Sequence, residues 1–130
     1  MHWGDCLVMS SIYDHDGALR RMGNDAELFA EMVGLLRSDA PHWLTVLKSA
    51  LDDGDSAQIH RAAHTLKGLA ANFGAERAVG AALEIERRAK AQQSDGMAAA
   101  VQELEEALDE LIAALATVPQ PSPSILPSLT

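Results

Sequence analysis

DSAQIHRAAHTLKGLAANFG, residues 55–74, reads as one helix, and its two faces differ sharply. Helical residues advance about 100° each, so positions i, i+3, i+4 and i+7 share a face. On that step Ile59, Ala63, Leu66, Ala70 and Phe73 form one apolar stripe within roughly 80° of arc. Asp55 or Ser56 suits the N-cap, and Gly74 suits the C-terminal stop. His64 falls well off the stripe. Its neighbours on the polar side are Ala57, His60, Arg61, Lys67, Gly68 and Ala71, three of which carry almost no side chain.

An imidazole that stands out from a helix in this way is a candidate nucleophile, because its ordinary pKa of about 6.5 leaves it largely neutral at physiological pH. Lys67, one turn on, supplies a cation at the distance where it could neutralise phosphate oxygens. Gly68 costs about 1 kcal/mol relative to alanine in a helix interior, and keeping the approach to His64 clear would explain it. Phosphoryl transfer needs in-line placement and charge stabilisation more than covalent help from the protein. His60 and Arg61, one turn earlier, are secondary candidates for holding the phosphate.

Outward from this helix the pattern is helical throughout. A short helix is expected from about Asp14 to Met22, ended by Gly23. Asn24 or Asp25 caps a helix to about Ser38, with Phe29, Met32, Val33 and Leu36 inward. Pro41 suits the first turn of a third helix. That helix would run to about Asp53 and bury Trp43 or Leu44, with Leu47, Ala50 and Leu51. After residues 55–74 comes a helix from Ala75 to about Gln92, with Ala78, Ala82, Ile85 and Ala89 inward. The last helix, about 97–117, repeats Met97, Val101, Leu104, Leu108, Leu111, Leu115 and Val118. That stripe suits packing inside a bundle, and alternatively the seam of a coiled-coil dimer. The expected fold is all-α: an antiparallel up-down four-helix bundle, with an additional short N-terminal helix and an extra C-terminal helix packing. Residues 1–13 form an N-terminal arm, 14–118 the domain, and 119–130 a disordered Pro/Ser-rich tail holding four of the five prolines.

Composition narrows the function. The 130-residue chain suits one domain, and its net charge of −9 argues against nucleic acid and against an anionic membrane surface. No apolar run approaches the ~20 residues needed to span a bilayer, and no secretory signal pattern opens the chain. Cys6 is the only cysteine, so no intrachain disulfide can form, and a reducing, cytoplasmic setting is the simplest expectation. Charge is unevenly spread. Residues 60–90 carry six bases and three acids, whereas residues 91–130 carry six acids and no base. The stretch around His64 is thus locally positive, which favours a phosphoryl group and a partner with an acidic pocket. Arg87, Arg88 and Lys90 would equally complement a helix C-terminus.

Ala63-His64, Leu66-Lys67-Gly68, Ala70-Ala71 and Gly74 together resemble the signature of histidine phosphotransfer (HPt) domains of bacterial two-component phosphorelays. The likeness extends more loosely over residues 12 to 117. Glu86 after Ile85 also fits the family's usual Leu-Glu, and Leu69 departs from it where a small polar residue is common. The resemblance implies a four-helix bundle with the active histidine exposed in mid-helix. It implies that His64 is the phosphoacceptor, Lys67 the electrostatic helper, and Gly68 the steric clearance. The remaining docking positions would be Ala57, His60, Arg61 and Ala71. It implies a stoichiometric carrier rather than an enzyme, a monomer with no cofactor or metal of its own. Its partners would be receiver domains of response regulators or hybrid histidine kinases. Those receivers supply magnesium. No nucleotide-binding glycine loop is present in the sequence.

Two rival readings follow from the same residues. His60 and His64 stand at i and i+4, the spacing at which two imidazoles can share a metal. The glutamate of His-Glu-x-x-His is missing, and a third ligand would have to come from another helix. The alternative function is a non-phosphorylated helical adaptor module that binds a signalling partner.

Overall fold

The computed structural model describes residues 12–117. The expected residue 119–130 tail lies outside the described residues, as do Cys6, Val118 and nearly all of the arm. Five α-helices are described: α1 (His15–Arg21), α2 (Ala26–Asp53), α3 (Ser56–Ala71), α4 (Glu76–Lys90) and α5 (Met97–Ala114). A single 3₁₀ turn, Leu115–Thr117, follows α5. Helix α3 packs between α2 and α4, and α5 closes the bundle against α4 and α2. The short connections make successive helices antiparallel neighbours.

The starts of α1, α2 and α3 were legible in the sequence because aspartates cap them. Asp14 accepts from the Gly17 amide at 3.0 Å, Asp25 from Glu27 and Leu28 at 3.0 and 3.1 Å, and Asp55 from Gln58 at 3.1 Å. Each satisfies amides that the first turn leaves without a helical partner. Helix α2 stops at Gly54, which takes the left-handed conformation at φ +67°.

The sequence suggested two helices on either side of Pro41. The structure has one, 28 residues long, with Pro41 inside it. An internal proline removes one backbone hydrogen bond and crowds the preceding turn, at a cost of about 3 kcal/mol. Packing outweighs that cost. Phe29, Val33, Leu36, Ala40, Leu44 and Leu47 are buried in an unbroken 3–4 spacing that passes straight through the proline. Each large apolar side chain buried there contributes about 1.5–3 kcal/mol, and a break at residue 40 would peel one half of the stripe off the bundle. Pro41 itself sits on the exposed face, where its carbonyl accepts from the Thr45 hydroxyl at 3.0 Å.

The core is built from alanine and leucine. All five residues of the α3 stripe are buried, joined by Ala62. On α4, Ala78, Ala82, Ile85 and Ala89 face inward as the periodicity predicts. The heptad stripe of α5 is also consumed within the chain. Met97, Val101, Leu104, Leu108, Leu111 and Leu115 are all buried against the other helices, so no seam is left for a coiled-coil partner. Arg37 of α2 reaches the Leu115 carbonyl at 3.3 Å and caps the end of α5 from a neighbouring helix. Met32, Trp43 and Leu51, expected inward, are only half-buried at the edge of the core.

The end of the expected N-terminal arm is held against the bundle. Its last residue, Tyr13, is buried, because the chain is pinned where the Asp14 amide donates to the Phe73 carbonyl at 2.8 Å. Gly74 makes room for this. At φ +63° it ends the α3 turn, and an added Cβ would lie 2.9 Å from the Asp14 Cβ.

Candidate functional site

His64 stands near the middle of α3 with its side chain 66% exposed, held by the buried stripe behind it. His60 precedes it by one turn. The two imidazoles are stacked, nearly parallel at 6°, with centroids 6.3 Å apart. Lys67 follows one turn later. These three side chains lie on the face that looks across to α4.

Glu86 gathers them. It is the only buried charged residue among those described. One carboxylate oxygen, Oε2, lies 3.1 Å from His64 Nδ1 and 3.5 Å from His60 Nε2. The other, Oε1, lies 2.6 Å from Lys67 Nζ. A carboxylate taken out of water needs such company. Burial pushes its pKa up, but the hydrogen bonds and charges of Lys67 and His64 outweigh burial and hold it below its ordinary value. Glu86 is therefore ionised at neutral pH and can only accept hydrogen bonds.

That fixes the chemistry open to His64. A donor is needed at Nδ1, so in the neutral ring the proton sits there and Nε2 carries the lone pair. The free nitrogen belongs to a ring two-thirds in solvent.

The sequence-predicted positions divide into two groups. Ala57, His60 and Arg61 line one open groove with His64, with Ala89 and Lys90 of α4 on the far side and a volume of about 700 Å³. Gly68 and Ala71 do not line it. They lie exposed further along α3, and a Cβ built on Gly68 would meet nothing within 4 Å. Nothing in this chain's own packing requires glycine there. Lys67 does not stand free, as the sequence suggested: its ammonium is committed to Glu86 and only 27% of the side chain is exposed.

Sequence reasoning noted Glu86 only through the family likeness and did not place it at the site. The available signal was an acid one position beyond the inward Ile85, next to the buried edge of α4. Its meeting with three side chains of α3 depends on how the two helices are rotated against each other. Among the described residues no group of three or more histidine, cysteine, aspartate or glutamate side chains is placed to hold a metal ion.

The model of the Hpt domain family matches residues 31–114, well over half of the chain. The chain belongs to the Hpt domain family. The matched span covers most of α2, all of α3 and α4, and α5 to its last residue, so His64, Lys67 and Glu86 all fall inside it. Hpt domains are helical bundles that serve phosphorelay signalling as phosphocarriers without kinase domains, and they interact with receiver domains. No match was found among curated proteins or among solved structures. No helix among the described residues is long and apolar enough to cross a membrane.

Proposed function

We propose that this Hpt domain accepts a phosphoryl group on His64 from the phosphoaspartate of one receiver domain and passes it to the aspartate of another. The observation that carries the reading is the hydrogen bond between His64 Nδ1 and the buried, ionised Glu86 at 3.1 Å. In the neutral ring it directs the proton to Nδ1 and leaves the Nε2 lone pair on a solvent-facing ring. Nε2 attacks the phosphorus of the partner's acyl phosphate, the P–O bond to the aspartate breaks, and the aspartate leaves as a carboxylate. The new N–P bond puts positive charge on a ring that still carries the Nδ1 proton, and Glu86 lies against that charge. In the second half the aspartate of the next receiver attacks phosphorus, the N–P bond breaks, and the neutral imidazole returns.

Lys67 serves twice in this scheme. One of its three N–H donors holds Glu86, and the others remain for a phosphoryl oxygen. Gly68 leaves space beside the reacting ring for the incoming domain. Magnesium and most of the catalysis belong to the receivers, and the carrier acts in the cytoplasm as a monomer.

The test is to incubate the full chain with a phosphorylated receiver domain. Acid-labile, base-stable phosphate should appear on the wild type. His64→Gln should keep its helical circular dichroism and take up none. Labelling retained in that variant would refute the assignment, and binding of the receiver without labelling would favour the adaptor role.

A further inference from the structure

The cations around His64 are not equally available. Residues 60–90 contain six: Arg61, Lys67, Arg77, Arg87, Arg88 and Lys90. Four of them are paired with carboxylates. Lys67 holds Glu86 at 2.6 Å. Arg77 reaches across to α5, where Glu103 and Glu110 take it at 2.6 and 2.8 Å. Arg88 and Arg87 share Glu84 at 2.8 and 3.6 Å. Among the described residues, Arg61 and Lys90 have no carboxylate partner; Arg61 bonds only the neutral Gln58 side chain. Both line the groove beside His64 and His60, one on each helix. The floor between them is made by Ala57 and Ala89, small and apolar.

Taking the proposed function as its basis, we infer that this groove is the specificity surface of the carrier, and that it seats an acidic face of the receiver whose carboxylates meet Arg61 and Lys90. The occupant follows from charge. On a chain of net charge −9, two uncommitted cations facing each other over an apolar floor form the local exception, and they adjoin the reacting ring. An acidic partner would be repelled by most of the molecule and attracted here, which orients it with its phosphoaspartate toward His64. The footprint therefore runs from His64 toward the N-terminal half of α3 and the last turn of α4. Charges at the edge of an interface act chiefly on encounter and on its salt dependence.

The experiment uses the full chain and the phosphorylated receiver domain that labels the wild type fastest. The variant is the double reversal Arg61→Glu with Lys90→Glu, and Arg20→Glu on α1, outside the groove and with half that change in charge, controls for charge placed elsewhere. At low salt the double variant should show a KM for the receiver raised on the order of tenfold, with kcat retained. The gap should close toward 0.5 M salt, where the Debye length falls to about 4 Å. Arg20→Glu should behave as the wild type. An unaltered KM in the double variant, an equal effect from Arg20→Glu, or a loss confined to kcat would overturn the inference. A wild-type chain that takes no label from any receiver would instead overturn the proposed function, and this inference with it.

Discussion

Replacing Glu86 by glutamine tests both the stability of the bundle and the chemistry of its site. The substitution keeps shape and removes charge. It leaves the Lys67 ammonium beside a neutral amide with only 27% of its side chain in water. Breaking a fully buried pair typically costs 3–5 kcal/mol; here solvent reaches Lys67 and both imidazoles, so about 1–2 kcal/mol is expected. For a domain of this size that lowers Tm by roughly 4–16 °C. The effect on chemistry is separate. A hydrogen bond to a charged group contributes about 1.5–3 kcal/mol, and part of this one is felt only when the phosphorylated ring becomes positive. Labelling of His64 should slow by about 10- to 100-fold, at a temperature where circular dichroism shows the variant folded. The stability difference should also depend on pH with a definite sign. Glu86 is depressed below its ordinary value of 4.5, so its contribution is complete above that value and is lost as pH falls through the lower folded value. The wild type and Glu86→Gln should therefore converge in Tm as the pH is lowered from 6 toward 3. Labelling within twofold of the wild type, or a Tm difference that does not shrink in acid, would refute the reasoning.

The other expectations are simpler to state. Gly68→Ala should raise stability by about 0.5–1 kcal/mol in chemical denaturation, since a Cβ there meets nothing and alanine is the better helix former. Gly68→Gln should fold equally well but slow transfer from a receiver, and unchanged transfer would show that no clearance is needed. Pro41→Ala should raise stability by up to about 3 kcal/mol, read as a higher Tm, because it restores a helical hydrogen bond at an exposed position of α2. Gly74→Ala should destabilise by about 1–3 kcal/mol, from its positive φ and the approach of the Asp14 side chain, and calorimetry would read the loss directly.

The sequence by itself determined the local structure of this protein. Aspartates before α1, α2 and α3 announce each start because capping involves only neighbouring residues. The stripe through Ile59, Ala63, Leu66, Ala70 and Phe73 marks the inner face of α3, which leaves His64 outward by rotation alone. The motif around His64 likewise pointed to the Hpt domain family. Two features were decided only by tertiary structure. Pro41 reads locally as the start of a new helix, yet α2 runs through it, because the energy that keeps the helix whole lies in contacts with α3 and α5. Glu86 reads as one more acid on a mixed helix, and only the packing of α4 on α3 brings its two oxygens to His60, His64 and Lys67. Among the described residues the same packing commits Lys67 and leaves Arg61 and Lys90 without carboxylates. Residues close in sequence interact through a known helical geometry, whereas residues 22 positions apart meet only when two helices settle at one particular rotation and height.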